Sequence, residues 1–163
     1  MASFKTAGAH FIASAARRRD SNLQLHVIFT GLKETEASLG AAGEWARDLG
    51  GRLTLLVAEV VPFPLDLDCP PVPTEFTEEL LSQLAGKQEV ETSVKVFLCR
   101  DRNQTIRQAL NPNSIVVIGS RKRWWPTRAQ WLASLLRRDG HQVIVLDTRR
   151  LESSSKEVSK HAS

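Results

Sequence analysis

Five short apolar runs alternate with segments of helical periodicity along this chain, and this alternation constrains its fold more than any other feature. The predicted strands are residues 25–29, 53–61, 93–98, 114–118 and 143–146, and the predicted helices are residues 34–49, 74–84, 103–110 and 126–138. Alternating strands and helices with short connections give parallel strands joined by right-handed crossovers. The sequence therefore predicts the α/β class, as a three-layer sandwich in which helices cover both faces of a five-stranded parallel sheet.

Length and composition fit a single globular domain. The chain has 163 residues, of which 42% are hydrophobic and 25% are charged, and residues 22–149 carry all the predicted elements. We expect residues 1–21 to form an N-terminal extension, although Phe4, Phe11 and Ile12 share one helical face and leave a docking helix open. Residues 150–163 show no apolar period and are predicted to be a disordered tail. No apolar run approaches the roughly 20 residues of a membrane-spanning helix, so no integral membrane segment is predicted.

Motifs that would indicate a metal site or a catalytic centre are missing from the sequence. Cys69 and Cys99 have no CxxC or Cys/His neighbours, which excludes a zinc finger or a disulfide framework. Two isolated thiols fit a reducing compartment, so we expect a cytoplasmic protein without a metal site. No HExxH motif, Ser/His/Asp order or carboxylate pair falls at a predicted loop end, so no catalytic residue is assigned. His26 and His141 are interpreted as structural.

Positive charge is concentrated in two segments. The net charge of the chain is +4, yet residues 1–19 and residues 121–138 contain basic residues and no acidic ones, so the remainder is acidic. Such a distribution attracts anions at particular places rather than over the whole surface.

The candidate binding site lies where the first and fourth predicted strands end. Open parallel sheets bind ligands at the carboxyl ends of their strands, near the point where strand order reverses. A glycine directly after a buried strand lets backbone N–H groups approach an anion. Glycine also commonly follows a buried strand without any role in binding. The residues that could hold a nucleotide or another anion here are Thr30, Gly31, Gly119, Ser120, Arg121, Lys122 and Arg123.

Two long stretches of the sequence resemble the universal stress protein family. They are EASLGAAGEWARDLGGRLTLLVAEVVPFP and SIVVIGSRKRWWPTRAQWLASLLRRDGHQVIVLD, and the similarity in order extends over residues 24–147. The resemblance implies the strand order 3-2-1-4-5, ATP or AMP as candidate ligands, and a homodimer formed through the last strand. That strand is Val143, Ile144, Val145 and Leu146, and it is too apolar to be left as a bare sheet edge.

The nucleotide motif of that family is incomplete in this chain. Nucleotide-binding members have an acidic residue at the end of the first strand and a loop of the form G-x2-G-x9-G-[S/T]. Thr30 stands at the acidic position, and Lys122 stands where the second glycine belongs. Gly119 matches the first glycine, and Ser134 matches the last position only after a shift of one residue. The resemblance therefore implies a regulatory or binding domain without catalysis, whose nucleotide site is degenerate.

Two other functions stay open at this point. In the first, Lys122 and its neighbours hold the phosphates of ATP by side-chain charge. In the second, residues 121–138 bind a nucleic acid or an acidic partner, with tryptophans stacking on bases. The structural alternative for this segment is that Trp131, Leu132, Leu135 and Leu136 pack on the sheet while the charges face water.

Overall fold

The structure is a computed structural model that describes residues 23–67, 74–121 and 126–149, with the side chains of residues 74–76 left out. The predicted N-terminal extension and C-terminal tail lie outside these residues, so the domain boundaries stay predictions.

The described residues form five strands and four helices in strict alternation. They are β1 Gln24–Ile28, α1 Leu32–Leu49, β2 Arg52–Val60, α2 Thr74–Gly86, β3 Thr92–Cys99, α3 Arg102–Ala109, β4 Ile115–Ser120, α4 Arg128–Arg138 and β5 Gln142–Asp147. All strands are parallel, and their order in the sheet is β3-β2-β1-β4-β5. The predicted fold class and the strand order implied by the resemblance are both confirmed.

Burial follows position in the sheet. In the inner strands β1, β2 and β4 almost every side chain is buried, as their continuous apolar runs require. In β3, which forms one edge, Ser93 and Lys95 are exposed between partly buried and buried neighbours. None of the helices in the described ranges is long and apolar enough to cross a bilayer.

Two apolar clusters lie on opposite faces of the sheet. One joins Leu39 and Ala42 of α1 to Leu81 of α2 over one face of the inner strands. The other joins Ile106 of α3 to Leu132 and Leu136 of α4 over the opposite face. The sheet is therefore the middle of three layers, and ligands of such sheets bind at the carboxyl ends of the strands.

Most predicted boundaries differ from the structure by one or two residues, and two of these differences lie next to the candidate site. Pro126 was expected in the first turn of α4, but Thr127 caps that helix and α4 begins at Arg128. Gly119 and Ser120 were expected in a loop, but they are the last residues of β4 because β5 extends far enough to pair with them.

Candidate functional site

An open cleft of about 1020 Å³ lies at the carboxyl ends of the strands, where the sheet order reverses between β1 and β4. Thr30 and Gly119 lie side by side in it, because the Thr30 hydroxyl donates a 2.8 Å hydrogen bond to the Gly119 carbonyl oxygen. This confirms the prediction that the two residues end as neighbours. We call this space the carboxyl-end cleft.

The end of β1 is capped by the protein itself. The backbone N–H of Thr30 donates to the hydroxyl oxygen of Thr35, at 3.2 Å. The guanidinium of Arg102 donates to the carbonyl oxygen of Phe29. The polar groups with which β1 ends are thus already partnered without a ligand.

Gly119 is needed for packing of β4 against α1. A Cβ atom at this position would overlap the Glu34 carbonyl oxygen and the Ser38 hydroxyl oxygen. The Ser38 hydroxyl already donates to that carbonyl oxygen, at 2.7 Å, so neither atom is free to move away. The glycine that matches the family motif therefore has a structural role in this chain.

Arg121 closes one side of the carboxyl-end cleft. Its Nε lies 2.8 Å from Oε1 of Glu34, and the Glu34 side chain is only 20% exposed. This ion pair links the end of β4 to the first turn of α1 and offsets the charge of Arg121.

The start of α4 is fixed by its own side chains. The Thr127 hydroxyl oxygen accepts a hydrogen bond from the Gln130 backbone N–H at 3.3 Å, and the Gln130 side chain accepts from the Thr127 N–H at 2.9 Å. Ser120 adds a hydroxyl–hydroxyl contact of 3.0 Å with Thr127. This capping box sets where the side chains of the first helical turn emerge.

Arg102 and Arg128 bring two positive charges into the carboxyl-end cleft. Each is the first residue of its helix, α3 and α4 respectively, and each lines the cleft. Burial lowers the pKa of Arg102 below its ordinary value, and the charge of Arg128 lowers that pKa further. Within the described ranges neither guanidinium forms an ion pair with a carboxylate. The two cations therefore repel each other across the cleft.

Arg100 forms a wall of the cleft. Its guanidinium donates to the carbonyl oxygens of Val61 and Leu65, both at 2.6 Å, and lies 4.1 Å from the ring centre of Phe63. These contacts hold the chain that leaves β2 against the end of β3.

Two apolar side chains line the mouth of the cleft. Val60 at the end of β2 is 49% exposed, and Trp131 in α4 is 59% exposed. The expectation that Trp131 packs on the sheet is therefore wrong. Its neighbours Leu132 and Leu136 occupy the core, and Trp131 projects from another side of the helix.

The chain has a distant structural similarity to a known protein. No family model matches the chain, and no curated protein matches it. A solved structure, a protein from the universal stress protein family of Burkholderia pseudomallei, matches with 16% identity and a TM-score of 0.48. The match covers 76% of this chain and 94% of that one. Function therefore has to be inferred from the cleft residues themselves.

Four of the predicted site residues come together among the residues that the structure describes. Thr30, Gly119, Ser120 and Arg121 line the carboxyl-end cleft. Gly31 adjoins it as the residue before α1. Ser134 lies in the middle of α4, exposed, with its hydroxyl donating to the Gln130 carbonyl oxygen at 3.1 Å. Lys122 and Arg123 lie outside the described residues.

The sequence reasoning missed Arg102 as a site residue and counted Arg128 only as part of a basic segment. Both are cations in the first turn of a helix that follows a strand, where acidic residues are favoured. A basic residue in a first helical turn after a strand was thus the feature of the sequence that could have indicated these two site residues.

The histidines and metal-type ligands lie apart from the cleft. His26 shares the sheet face of Ile28, which belongs to the cluster under α3 and α4, since side chains alternate along a strand. His26 and His141 are both buried, and neither lines the cleft. No group of three or more His, Cys, Asp or Glu side chains is arranged for a metal ion in the part of the chain that the structure describes.

Proposed function

We propose that this chain is a non-catalytic binding domain similar to universal stress proteins, which regulates a partner by binding a small anion in the carboxyl-end cleft. The anion is held by arginine side chains, and the ordinary glycine-loop mode of nucleotide binding is degenerate.

The observation that carries this function is the pair Arg102 and Arg128 at the starts of α3 and α4. The N-terminal end of a helix carries a partial positive charge, so a cation there costs stability. α4 has no acidic residue in its first turn or at its N-cap, whereas α3 has Asp101 as its N-cap. Residue choices that break a local rule without a structural gain occur at functional sites. Arg102 has a structural partner in the Phe29 carbonyl oxygen, so the gain is missing at Arg128, and an anion held between the two guanidinium groups supplies it.

The other charges of the cleft are already engaged. Among the described residues four arginines and two carboxylates line it. Glu34 pairs with Arg121, and the Asp101 carboxylate accepts from the Gln104 backbone N–H at 3.0 Å as the cap of α3. Arg102 and Arg128 have no carboxylate partner among the described residues. Arg102 donates to the Phe29 carbonyl oxygen, and its remaining N–H groups and those of Arg128 can meet a ligand.

Several features support the loss of the glycine-loop mode. Thr30 stands in place of the family's acidic residue, and its hydroxyl donates a hydrogen bond to the Gly119 carbonyl oxygen. Gly119 is explained by packing, and the Gln130 N–H is occupied by Thr127. Lys122 adds a Cβ where the motif needs a second glycine.

A nucleotide bound by side-chain charge is the second candidate. The cleft volume of about 1020 Å³ favours it, because drug-sized ligands occupy pockets of roughly 300–1,000 Å³. The arginine pair would then hold the phosphates in place of backbone amides.

A nucleic-acid or acidic-protein surface along residues 121–138 has less support. Arg121 is paired with Glu34, and Arg137 donates to the Val143 carbonyl oxygen at 3.0 Å. Arg128 lines the cleft at the opposite end of α4 from Arg137. These arginines do not form the continuous stripe that a phosphate backbone requires.

We also propose that the domain acts as a homodimer through β5. Within the described residues β5 pairs only with β4, and Ile144 is 37% exposed on it. An apolar edge strand with unpaired backbone groups is a template for a second copy.

The test is a calorimetric or NMR titration with inorganic phosphate, AMP and ATP at low salt. We expect phosphate to bind the wild type and Arg128→Gln to weaken it about tenfold, as loss of a charge-assisted hydrogen bond predicts. Arg138→Gln removes an equal charge from the last turn of the same helix and should bind like the wild type. If no anion binds, this function is overturned. If ATP binds far more tightly than phosphate and saturates below about 1 mM, the second candidate replaces it.

A further inference from the structure

We infer that the ligand of the carboxyl-end cleft is a compact aromatic anion, with its ring on Trp131 and its charged group between Arg102 and Arg128. This inference rests on the proposed function, since it names the class of ligand that the same cleft takes.

The exposure of Trp131 is the first step. Its side chain is 59% exposed and lines the cleft, although nearby positions of α4 offer a packed interior. A tryptophan left in the open at the mouth of a cleft is the residue type that most often anchors a ligand or partner.

The spacing on α4 is the second step. Arg128 and Trp131 are three residues apart in one helix, so they lie on the same face with Cβ atoms about 5–6 Å apart. A single small ligand therefore meets the guanidinium and the indole together.

The floor and the far wall of the cleft give the third step. Arg102 reaches the Phe29 carbonyl oxygen at the end of β1, which lies between β2 and β4 in the sheet. Val60, 49% exposed at the end of β2, faces the cleft from the other side of β1. The cleft thus has a cationic floor, an apolar wall at Val60 and an aromatic wall at Trp131.

This arrangement favours a phosphate or carboxylate attached directly to a ring. The anionic group must reach two guanidiniums while the ring reaches an indole one helical turn away. A nucleotide separates its base from its phosphate by a ribose, so it fits this spacing less well.

The experiment compares phenyl phosphate, benzoate, inorganic phosphate and AMP by NMR-detected titration of the wild-type chain. We expect phenyl phosphate to bind about tenfold more tightly than inorganic phosphate, as ring stacking on an aromatic side chain predicts. We expect benzoate to compete with it and AMP to bind more weakly. Equal affinity for phenyl phosphate and inorganic phosphate, failure of benzoate to compete, or tighter binding of AMP would each overturn the inference.

Variants at Trp131 separate the ring contact from anion binding. Trp131→Ala should remove the tenfold advantage of phenyl phosphate and leave inorganic phosphate unaffected, whereas Trp131→Phe should keep most of the advantage. Leu49→Ala, at a 62% exposed position at the end of α1, is the control for loss of an exposed apolar side chain. An unchanged advantage in Trp131→Ala overturns the inference alone. Failure of all four probes to bind the wild type overturns the proposed function as well.

Discussion

The Thr30 hydroxyl and the Gly119 carbonyl oxygen are joined by a hydrogen bond of 2.8 Å, although they lie 89 residues apart in the chain. The bond bridges the ends of β1 and β4, the two strands from which the chain turns toward opposite edges of the sheet. It sets the separation of the strand ends that border the carboxyl-end cleft.

Thr30→Val should therefore destabilise the fold while keeping the shape of the side chain. Removing the hydroxyl leaves a part-buried carbonyl oxygen without this donor, at a cost of about 1 kcal/mol in the free energy of unfolding. Urea denaturation measures the loss. Thr30→Ser keeps the donor and should stay closer to the wild type, and an equal loss in both variants would contradict the role of the bond.

Gly119→Ala should be more costly than Thr30→Val. The new methyl group would overlap the Glu34 backbone and force β4 away from α1, and overpacking of this kind costs about 1–3 kcal/mol. Gly40→Ala is the matched control, because nothing lies within 4 Å of a Cβ at that position in α1. Alanine in place of a helical glycine should stabilise the protein by about 0.5–1 kcal/mol. Denaturation curves should therefore show a lower free energy of unfolding for Gly119→Ala and a higher one for Gly40→Ala. A change of the same sign in both variants would refute the packing explanation.

Stability should fall below neutral pH because of His26. This side chain is 4% exposed, and its Nδ1 has no hydrogen-bond partner among the residues that the structure describes. Burial, together with the charges of Lys95 and His141, lowers its pKa from 6.5 to about 4. Between pH 6.5 and pH 4 the unfolded chain binds more protons than the folded chain. The stability that comes from keeping His26 neutral is therefore fully present above pH 6.5, and the free energy of unfolding falls as pH is lowered toward 4. The loss amounts to about 3 kcal/mol.

The measurement is the free energy of unfolding of the wild type and of His26→Gln across that pH range. Glutamine does not titrate, so the variant should lose less stability on acidification than the wild type. The other titrating groups are present in both proteins and contribute equally to the two pH curves. Parallel curves would mean that His26 is not the group responsible.

Ile144→Lys should weaken the proposed dimer. A charge in the middle of an apolar edge strand opposes pairing with a second copy. Analytical ultracentrifugation should find the wild type as a dimer at concentrations where the variant is a monomer, with at least a tenfold higher dissociation constant, about 1.4 kcal/mol. Ser134→Lys adds the same charge on the exposed side of α4 and should leave the dimer intact. A monomeric wild type would contradict the dimer.

Local pattern was enough to predict the strands and the sheet class. The runs 53–61 and 114–118 are nearly continuously apolar because β2 and β4 are covered on both faces. General rules for parallel sheets then predicted that the residues after β1 and β4 would meet, as Thr30 and Gly119 do.

Site residues that depend on packing between distant elements could not be predicted. Arg102 reaches Phe29 from 73 positions away, and that contact depends on how α3 lies across the sheet. Trp131 was interpreted as packing on the sheet because it belongs to the apolar spacing that it shares with Leu132, Leu135 and Leu136. Adjacent helical positions are about 100° apart around the axis, and Trp131 lies outside the buried face. The spacing of apolar residues predicts well which residues lie at the centre of the buried face of a helix, and it predicts poorly which residues at the margins of that face are buried.

The bonds of Arg100 to Val61 and Leu65 both end on main-chain oxygen atoms. Because main-chain oxygens are common to all residue types, these two bonds do not depend on the side chains that residues 61–65 carry. Side chains of this stretch other than Phe63, whose ring lies against the Arg100 guanidinium, can therefore be exchanged without dismantling this side of the cleft.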